Sequence, residues 1–247
     1  MTQQTLSSKQ EKQEKAYATP YHWLIDPATE KGRLYFGYIN FCSAFAKDVS
    51  GPILDAGCGD GRLLGVLRET TKNTKLYGVD YSESALRFAR AFVPGATFSA
   101  DDLAHLLYSN DFFDQIYLIE TLEHIPPEHI ETLVRELKRV LRKGGTLVVT
   151  VPSSLMGEPS AESKHYQHFT PESLRGALGN EFHIEKMHGQ NKDGFHPLKI
   201  FYRLIDNPWF EIKPLRRFYN TRVWPRYFNI CEPERGRRLI AICTKTS

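Results

Sequence analysis

Glycines at alternate positions set the first chemical expectation. Gly57, Gly59 and Gly61 stand in Ile53-Leu54-Asp55-Ala56-Gly57-Cys58-Gly59-Asp60-Gly61-Arg62, directly after a short apolar run and directly before the helical pattern RLLGVLRET. A strand that turns through glycines into a helix lets the backbone approach a ligand closely, with the helix N–H groups aimed at it. Asp80 closes the next apolar run, 19 residues after Gly61, where a carboxylate can take both hydroxyls of a ribose. The spacing also separates ligand classes. Dinucleotide sites need G-x-G-x-x-G, and a phosphate-cradling P-loop needs Lys-Ser/Thr after its glycines. Here position 62 is Arg, no such pair follows, and an acid, Asp55, precedes the loop. The plain alternative is a turn that holds no ligand.

A second constellation is Glu120-Thr121-Leu122-Glu123-His124. Glu120, Glu123 and His124 lie at i, i+3 and i+4, so in a helix they share one face. Two carboxylates and an imidazole on one face suit a divalent metal ion. A fourth ligand would come from His165 or His168, in Lys164-His165-Tyr166-Gln167-His168-Phe169. The same groups also suit an acceptor pocket, a general base or a structural role. As bases, His165 and His168 are better placed than His105, His129 or His183, which have no acid motif nearby. A loop histidine without a function is the competing reading for both.

These residues need elements to position them. PILDA, KLYGVD, ATFSA, FDQIYLIE, GGTLVVTVPS, FHIEKMHG and RRLIAICTK read as seven strands. Helical patterns follow the first two, cover Glu128 to Leu141, and start near Thr170, where T-P-E-S supplies a cap, a proline and an early acid. A further helix covers Arg33 to Ala46, with Leu34, Phe36, Ile39 and Phe45 as buried candidates. Alternating strands and helices with short links predict an α/β fold, a mostly parallel sheet covered on both faces. The Glu/His motif follows the fourth strand, at the carboxyl edge where open α/β sheets bind ligands.

Composition bounds the rest. The 247 residues carry 32 Lys+Arg against 29 Asp+Glu, a net +3, which excludes a histone-like polyanion binder. The length suits one large α/β domain. Cys42, Cys58, Cys231 and Cys243 form no C-x-x-C pair, so a structural zinc site has no support. Their low density suggests a reducing compartment. No apolar run reaches the roughly 18 residues of a membrane span. The N-terminus is polar and has no signal-like apolar core, so the expected location is cytoplasmic. Residues 1–15 are Gln/Lys/Glu/Ser-rich and are expected to be disordered. Residues 16–247 then form a single domain.

Asp55 to Gly61, Asp80, Ala100-Asp101-Asp102-Leu103 and Glu120 to His124 together resemble a class I S-adenosylmethionine-dependent methyltransferase. The resemblance covers roughly residues 50–190 and Arg238 to Lys245. It implies a Rossmann-like sheet of seven strands with the last antiparallel. It implies that the loop (Asp55, Gly57, Cys58, Gly59, Gly61, Arg62) packs on the methionine half of the cofactor, with Glu120 nearby. Asp80, Tyr81 and Ser82 would then hold the ribose, and Asp101, Asp102 and Leu103 would face the adenine. Tyr17 to Trp23 resembles the N-terminal segment that closes over the cofactor; aromatic packing on the sheet is the alternative.

E-x-x-E-H with a later histidine is also similar to the metal site of small-RNA 2′-O-methyltransferases. The motif itself is similar to that of ubiquinone-biosynthesis O-methyltransferases, which are linked to Mg²⁺. That likeness implies a metal on Glu120, Glu123, His124 and His168, able to lower the pKa of an acceptor hydroxyl. Many methyltransferases carry E-x-L-E-H without a metal, and there Glu123, His124, His165 and His168 would form the acceptor pocket or the base.

In this fold the last two strands are usually joined by a short hairpin. Here residues 190–236 intervene, and the strand directions place them over the acceptor side. Residues 192–230 hold ten aromatics (Phe195, Phe201, Tyr202, Trp209, Phe210, Phe218, Tyr219, Trp224, Tyr227, Phe228). Lys199, Arg203, Lys213, Arg216, Arg217, Arg222 and Arg226 interleave with them. Three readings compete: a surface for nucleic acid or an anionic substrate, an apolar lid or dimer face, and a helical subdomain with its own core. Residues 192–247 carry 12 basic and 5 acidic groups, so the near-neutral total conceals a basic end on an acidic remainder.

The expected function is transfer of a methyl group from S-adenosylmethionine to a small-molecule acceptor, at oxygen. RNA ribose 2′-O-methylation is the alternative, and a non-catalytic cofactor-binding subunit the third. The acceptor and the oligomeric state are not encoded in any motif.

Overall fold

The computed structural model describes residues 7–27, 29–72, 75–179, 181–193, 197–207 and 210–245. The apolar runs bounded by turn residues become strands of one sheet. These are β1 (Ile53–Ala56), β2 (Leu76–Asp80), β3 (Thr97–Ala100), β4 (Phe113–Ile119), β5 (Leu141–Pro152) and β6 (Phe182–Lys192). After a two-residue pair, β7 (Asp206–Asn207) and β8 (Phe210–Glu211), come β9 (Ile230–Cys231) and β10 (Gly236–Lys245). The order is β3-β2-β1-β4-β5-β10-β6-β9. β10 is antiparallel to both β5 and β6, so β6 keeps the direction of β1 to β5. The seven expected strands are thus present, with β9 added at the edge.

The helices in chain order are α1 (Ser8–Ala16), α2 (Glu30–Ser43), α3 (Arg62–Thr70), α4 (Glu83–Phe92), α5 (Ile130–Val140), α6 (Pro171–Leu178), α7 (Pro197–Ile205) and α8 (Lys213–Phe218). Local chemistry starts several of them. Ser82 caps α4 by accepting from Ala85 N at 3.0 Å. Thr170 and Ser173 form a reciprocal capping box at α6, with Pro171 at its first position. Apolar stripes then bury α2 to α6 on the two faces of the sheet. α5 and α6 cover one side through Leu133, Leu137 and Leu174. α2, α3 and α4 cover the other through Ile39, Leu64 and Leu86. Shortening one such side chain to Ala typically costs about 2–5 kcal/mol. All four cysteines are free. No described helix is long and apolar enough to cross a membrane.

Two expectations are corrected. Disorder was expected over residues 1–15, yet Ser8–Ala16 is helical, and residues 1–6 lie outside the described residues. The reason is local: Ser7 and Gln10 form a capping box. Contacts to the β5–α6 connection then hold a helix that buries no residue of its own.

The second concerns 190–236, expected over the acceptor side. α7, α8 and the wider turns that continue α8 to Asn229 instead pack on α2. They gather Tyr202, Tyr219, Trp224 and Phe228 around Leu34. The side chain that draws them there is Arg33, 7 % exposed. Its guanidinium bonds Asn220 Oδ1 at 2.7 Å and lies 4.2 Å from the Tyr202 ring centre. Phe195 and Trp209 and the side chains of Lys199, Arg203 and Phe210 lie outside the described residues.

Candidate functional site

β1 and β4 are neighbours from which the chain proceeds in opposite directions across the sheet. Such a switch point leaves a crevice at the carboxyl ends of the strands. The glycine loop leaves β1 there, and Glu120 to His124 leaves β4. Between them lies a cavity of about 280 Å³. Its walls include Asp55, Gly57, Cys58, Gly59, Asp60 and Arg62 on one side, and Glu120, Glu123, His124, Lys164 and His165 on the other. Tyr17, Tyr21, His22, Lys31, Tyr35 and Tyr38 close it from the N-terminal segment and α2.

The loop is built for close approach. Gly57 has φ +79°, and Gly59 has φ +52°. A Cβ on Gly57 would run into the side chain of Thr121, and one on Gly59 into the Tyr17 hydroxyl, so only glycine fits both positions. Gly57 N and Cys58 N donate to Val79 O at 2.7 and 3.0 Å, which ties the loop to β2. Asp80 accepts from Gly59 N at 2.8 Å and Ser82 N at 2.9 Å. Burial pushes its carboxyl up to about 6, and the two N–H groups pull it partly back. Asp55 is raised further, to about 8, by burial and then by the charges of Asp80 and Asp60.

The remaining expected cofactor residues are spread along the same edge. Tyr81 is exposed, and its hydroxyl donates to Gln10 O at 3.3 Å. Ser82 caps α4. Asp102 accepts from Ala104 N at 2.9 Å, capping the turn that follows β3. Asp101 is half-buried and Leu103 is buried beside it.

The Glu/His motif is not a helix. Glu120 sits at φ +50°, and only Leu122–His124 makes a 3₁₀ turn. The carboxylates therefore diverge. Glu120 Oε2 accepts from Arg238 Nη2 at 2.8 Å, and Oε1 accepts from Thr150 Oγ1 at 2.9 Å. Burial alone would raise Glu120, but the Arg238 charge outweighs it and holds the carboxyl below its ordinary value. Glu123 is 1 % exposed and its Oε2 has no partner among the described residues. Burial, and then the Glu120 charge, push Glu123 well above the usual carboxylate range.

Two imidazoles meet Glu123. Donor atoms of Glu123, His124 and His165 lie within 4.8 Å of one another. His124 Nδ1 faces Lys164 O at 3.2 Å, and His168 Nδ1 faces Gly157 O. A carbonyl only accepts, so both Nδ1 atoms carry the proton. His168 Nε2 then accepts from His165 Nδ1–H at 3.0 Å. His124 Nε2 and His165 Nε2 are left as lone pairs. Burial, then proximity to His124 and His168, push His165 down to about 4, and burial lowers His124 as well.

Of the four residues expected to ligate a metal, two belong to the set that can. Glu120 is spent on Arg238 and Thr150. His168 is spent on Gly157 O and His165. Glu123, His124 and His165 are the three whose donors converge, and two neutral imidazoles with a carboxylate are a fit donor set for a divalent ion.

Sequence reasoning missed several residues of the site. Arg238 lies 118 residues from Glu120 on β10, where only pairing of the sheet could reveal it. In the sequence Asp60 is simply one position of the glycine loop. Fully buried, it accepts from His22 N at 3.1 Å and faces His22 Nδ1 at 2.9 Å. Its carbonyl accepts from Trp23 Nε1 at 2.8 Å. The aromatic cluster at 17–23 was the available signal for that anchorage. Among the described residues, none from 190–236 lines the cavity; that segment reaches the site only through α2.

Residues 53–145 match the family model described as a methyltransferase domain. The chain is 36 % identical over 103 residues to the methyltransferase GfsG of Streptomyces halstedii, a match covering 39 % of this chain and 36 % of that protein. It is 34 % identical over 119 residues to a trans-aconitate 2-methyltransferase of Sinorhizobium fredii, covering 45 % of this chain and 42 % of that one. The chain thus spans about two-fifths of the length of these curated relatives. Among solved structures, the fold resembles a TehB-like enzyme of Corynebacterium glutamicum (TM-score 0.61, 16 % identity, 96 % of this chain and 100 % of that one). It also resembles a Burkholderia thailandensis 1,6-didemethyltoxoflavin-N1-methyltransferase solved with S-adenosylhomocysteine (TM-score 0.59, 16 % identity, 100 % and 94 %).

Proposed function

This chain is built on a class I S-adenosylmethionine-dependent methyltransferase domain, and we propose that it transfers the cofactor's methyl group to an oxygen of a small molecule bound in the cavity. The observation that carries the reading is the glycine loop, tied through Gly59 N to Asp80, on one wall facing Glu123, His124 and His165 on the other. The residues present fit the cofactor. Asp80 keeps lone pairs on both carboxylate oxygens for ribose hydroxyls, and the glycine loop leaves its backbone open. Arg62, its guanidinium over the rings of Trp23 and Phe36, offers a cation beside the loop. Bound there, the cofactor supplies a methyl carbon already made electrophilic by the sulfonium. The chain's task is then to align an acceptor and exclude water. Tyr17, Tyr21, Tyr35 and Tyr38 provide the apolar enclosure, and the lone pairs on His124 and His165 orient a polar acceptor. The Sinorhizobium relative's name, a methyltransferase of a small carboxylic acid, supports a small-molecule acceptor.

Calorimetry tests the cofactor half. The wild type is expected to bind S-adenosylmethionine, and Asp80→Ala to lose at least about tenfold, the worth of one good polar contact to a ligand. No heat from wild type at high micromolar cofactor overturns the reading. A divalent cation on Glu123, His124 and His165 is a second reading, favoured by the unpartnered Glu123 Oε2. Mg²⁺ or Mn²⁺ should then raise the melting temperature of wild type but not of Glu123→Gln; equal melting temperatures with and without the ion remove it.

A further inference from the structure

The charges that face the cavity are unequal in a way that bears on the acceptor. Lys31, Arg62 and Lys164 line it, and among the described residues none of the three is paired with a carboxylate. Four carboxyls line the same space. Asp60 is engaged by His22 through both oxygens, and Glu120 by Arg238 and Thr150. Asp55 is held near 8 by its burial and by Asp80 and Asp60, so at neutral pH it is mostly uncharged. Among the described residues none of these four carboxyls, Glu123 included, is paired with Lys31, Arg62 or Lys164.

Position divides those cations. Arg62 starts α3 directly after the glycine loop, on the cofactor wall. Lys164 stands on the β5–α6 connection beside His165, with its ammonium 5.9 Å from the Tyr21 ring centre. Lys31 is in the first turn of α2. Both lysines line the cavity together with His124 and His165.

Resting on the methyl-transfer reading, we propose that the acceptor is a small carboxylic acid, bound as its carboxylate between Lys164 and Lys31 and methylated on a carboxylate oxygen. The chemistry balances without a base. A carboxylate oxygen forms the new O–CH₃ bond as the S–CH₃ bond breaks, and that electron pair returns to sulfur. An anion and a sulfonium become a neutral methyl ester and a thioether, and no proton moves. A hydroxyl acceptor would arrive protonated and need a general base. The two lysines hold the carboxylate by point charge, leaving its second oxygen free for the reaction.

Base lability of the product reads out this proposal, because methyl esters release methanol in mild alkali whereas methyl ethers and methylamines do not. The full chain is incubated with methyl-tritiated cofactor and the small-molecule ultrafiltrate of a cell extract, and separately with succinate and tricarballylate. Transferred label is expected to be volatile after alkali. Lys164→Met and Lys31→Met should each lower that transfer about tenfold or more, mainly through KM, with Lys164→Arg recovering part of it. Cofactor affinity measured by calorimetry should stay within about twofold for all three variants. Label that is stable to alkali, or transfer unaffected by both Lys→Met changes, overturns the carboxylate proposal and leaves the methyltransferase reading standing. No label in any acceptor, with cofactor bound, overturns the transfer reading itself.

Discussion

At the scale of single residues, the site separates charges that the sequence sets side by side. Glu120 and Glu123 are three apart, yet one is held ionised by Arg238 and the other is pushed towards its neutral form. Removing the guanidinium should therefore cost more than removing the pair. Arg238→Met leaves Glu120 charged and unpaired; with side chains about one-fifth exposed (20 % and 23 %), the loss is expected near 2–3 kcal/mol. Adding Glu120→Gln should restore most of it. Chemical denaturation of the two singles and the double measures this, and additive losses would contradict the pairing. Asp80 yields a pH prediction with two opposite signs. Its folded value of about 6 exceeds the ordinary carboxylate value of about 4. The carboxyl's contribution to stability is therefore present below about 4 and lost as pH rises through 6. Ribose hydroxyls donate to the ionised form, so cofactor affinity behaves inversely, full above pH 6 and falling by up to about tenfold per unit below it. Calorimetry between pH 5 and 8 checks this; a flat profile, or one unchanged in Asp80→Asn, removes Asp80 from the ribose.

At the scale of elements, α1 is the most dependent on others. It buries no residue of its own, and short isolated helices are marginal in water. Its anchors are polar: Lys9 Nζ donates to Ser163 O at 2.8 Å and His165 O at 2.6 Å, and Ser7 Oγ meets the Tyr166 hydroxyl at 3.3 Å. Gln13 brings the helix to the cavity. Lys9→Met is expected to release about 1–2 kcal/mol of that attachment. Trypsin should then cut faster at Lys12 and Lys15, and the cofactor dissociation rate should rise severalfold. Unchanged cleavage and dissociation would mean that α1 does not close the site. The capping signal at Ser7 and Gln10 was present in the sequence. The partners that make the helix persist are about 155 residues away.

At the scale of the whole molecule, the basic and aromatic segment is joined to the cavity by α2. Arg33 faces the segment through Tyr202, Tyr219, Trp224 and Asn220, while Lys31, Tyr35 and Tyr38 of the same helix face the cavity. Arg33→Leu should weaken that docking by about 1–3 kcal/mol, the worth of a buried cation–aromatic contact with a charged hydrogen bond. Hydrogen exchange should quicken in residues 213–229 while β1, β4 and β5 stay protected. Equal protection in both regions would show that Leu34 and its apolar neighbours hold the segment without it.

The sequence by itself determined the strand and helix order, the glycine turn after β1 and the acid ending β2. Those features follow from alternation, helical periodicity and turn chemistry, which act over a few residues. It also placed the Glu/His motif correctly at the carboxyl edge, since each motif follows its own strand. What only the tertiary structure decided is which of those groups meet. Glu120 takes a left-handed backbone and turns to Arg238. His165 joins Glu123 and His124 in place of His168, because carbonyls at 157 and 164 fix their tautomers. Lys31 and Lys164 face one space from elements far apart in the chain. Net charge is a sum over the sequence, whereas the field an acceptor meets depends on which charges are paired. Pairing across strands and loops is a property of the folded chain alone.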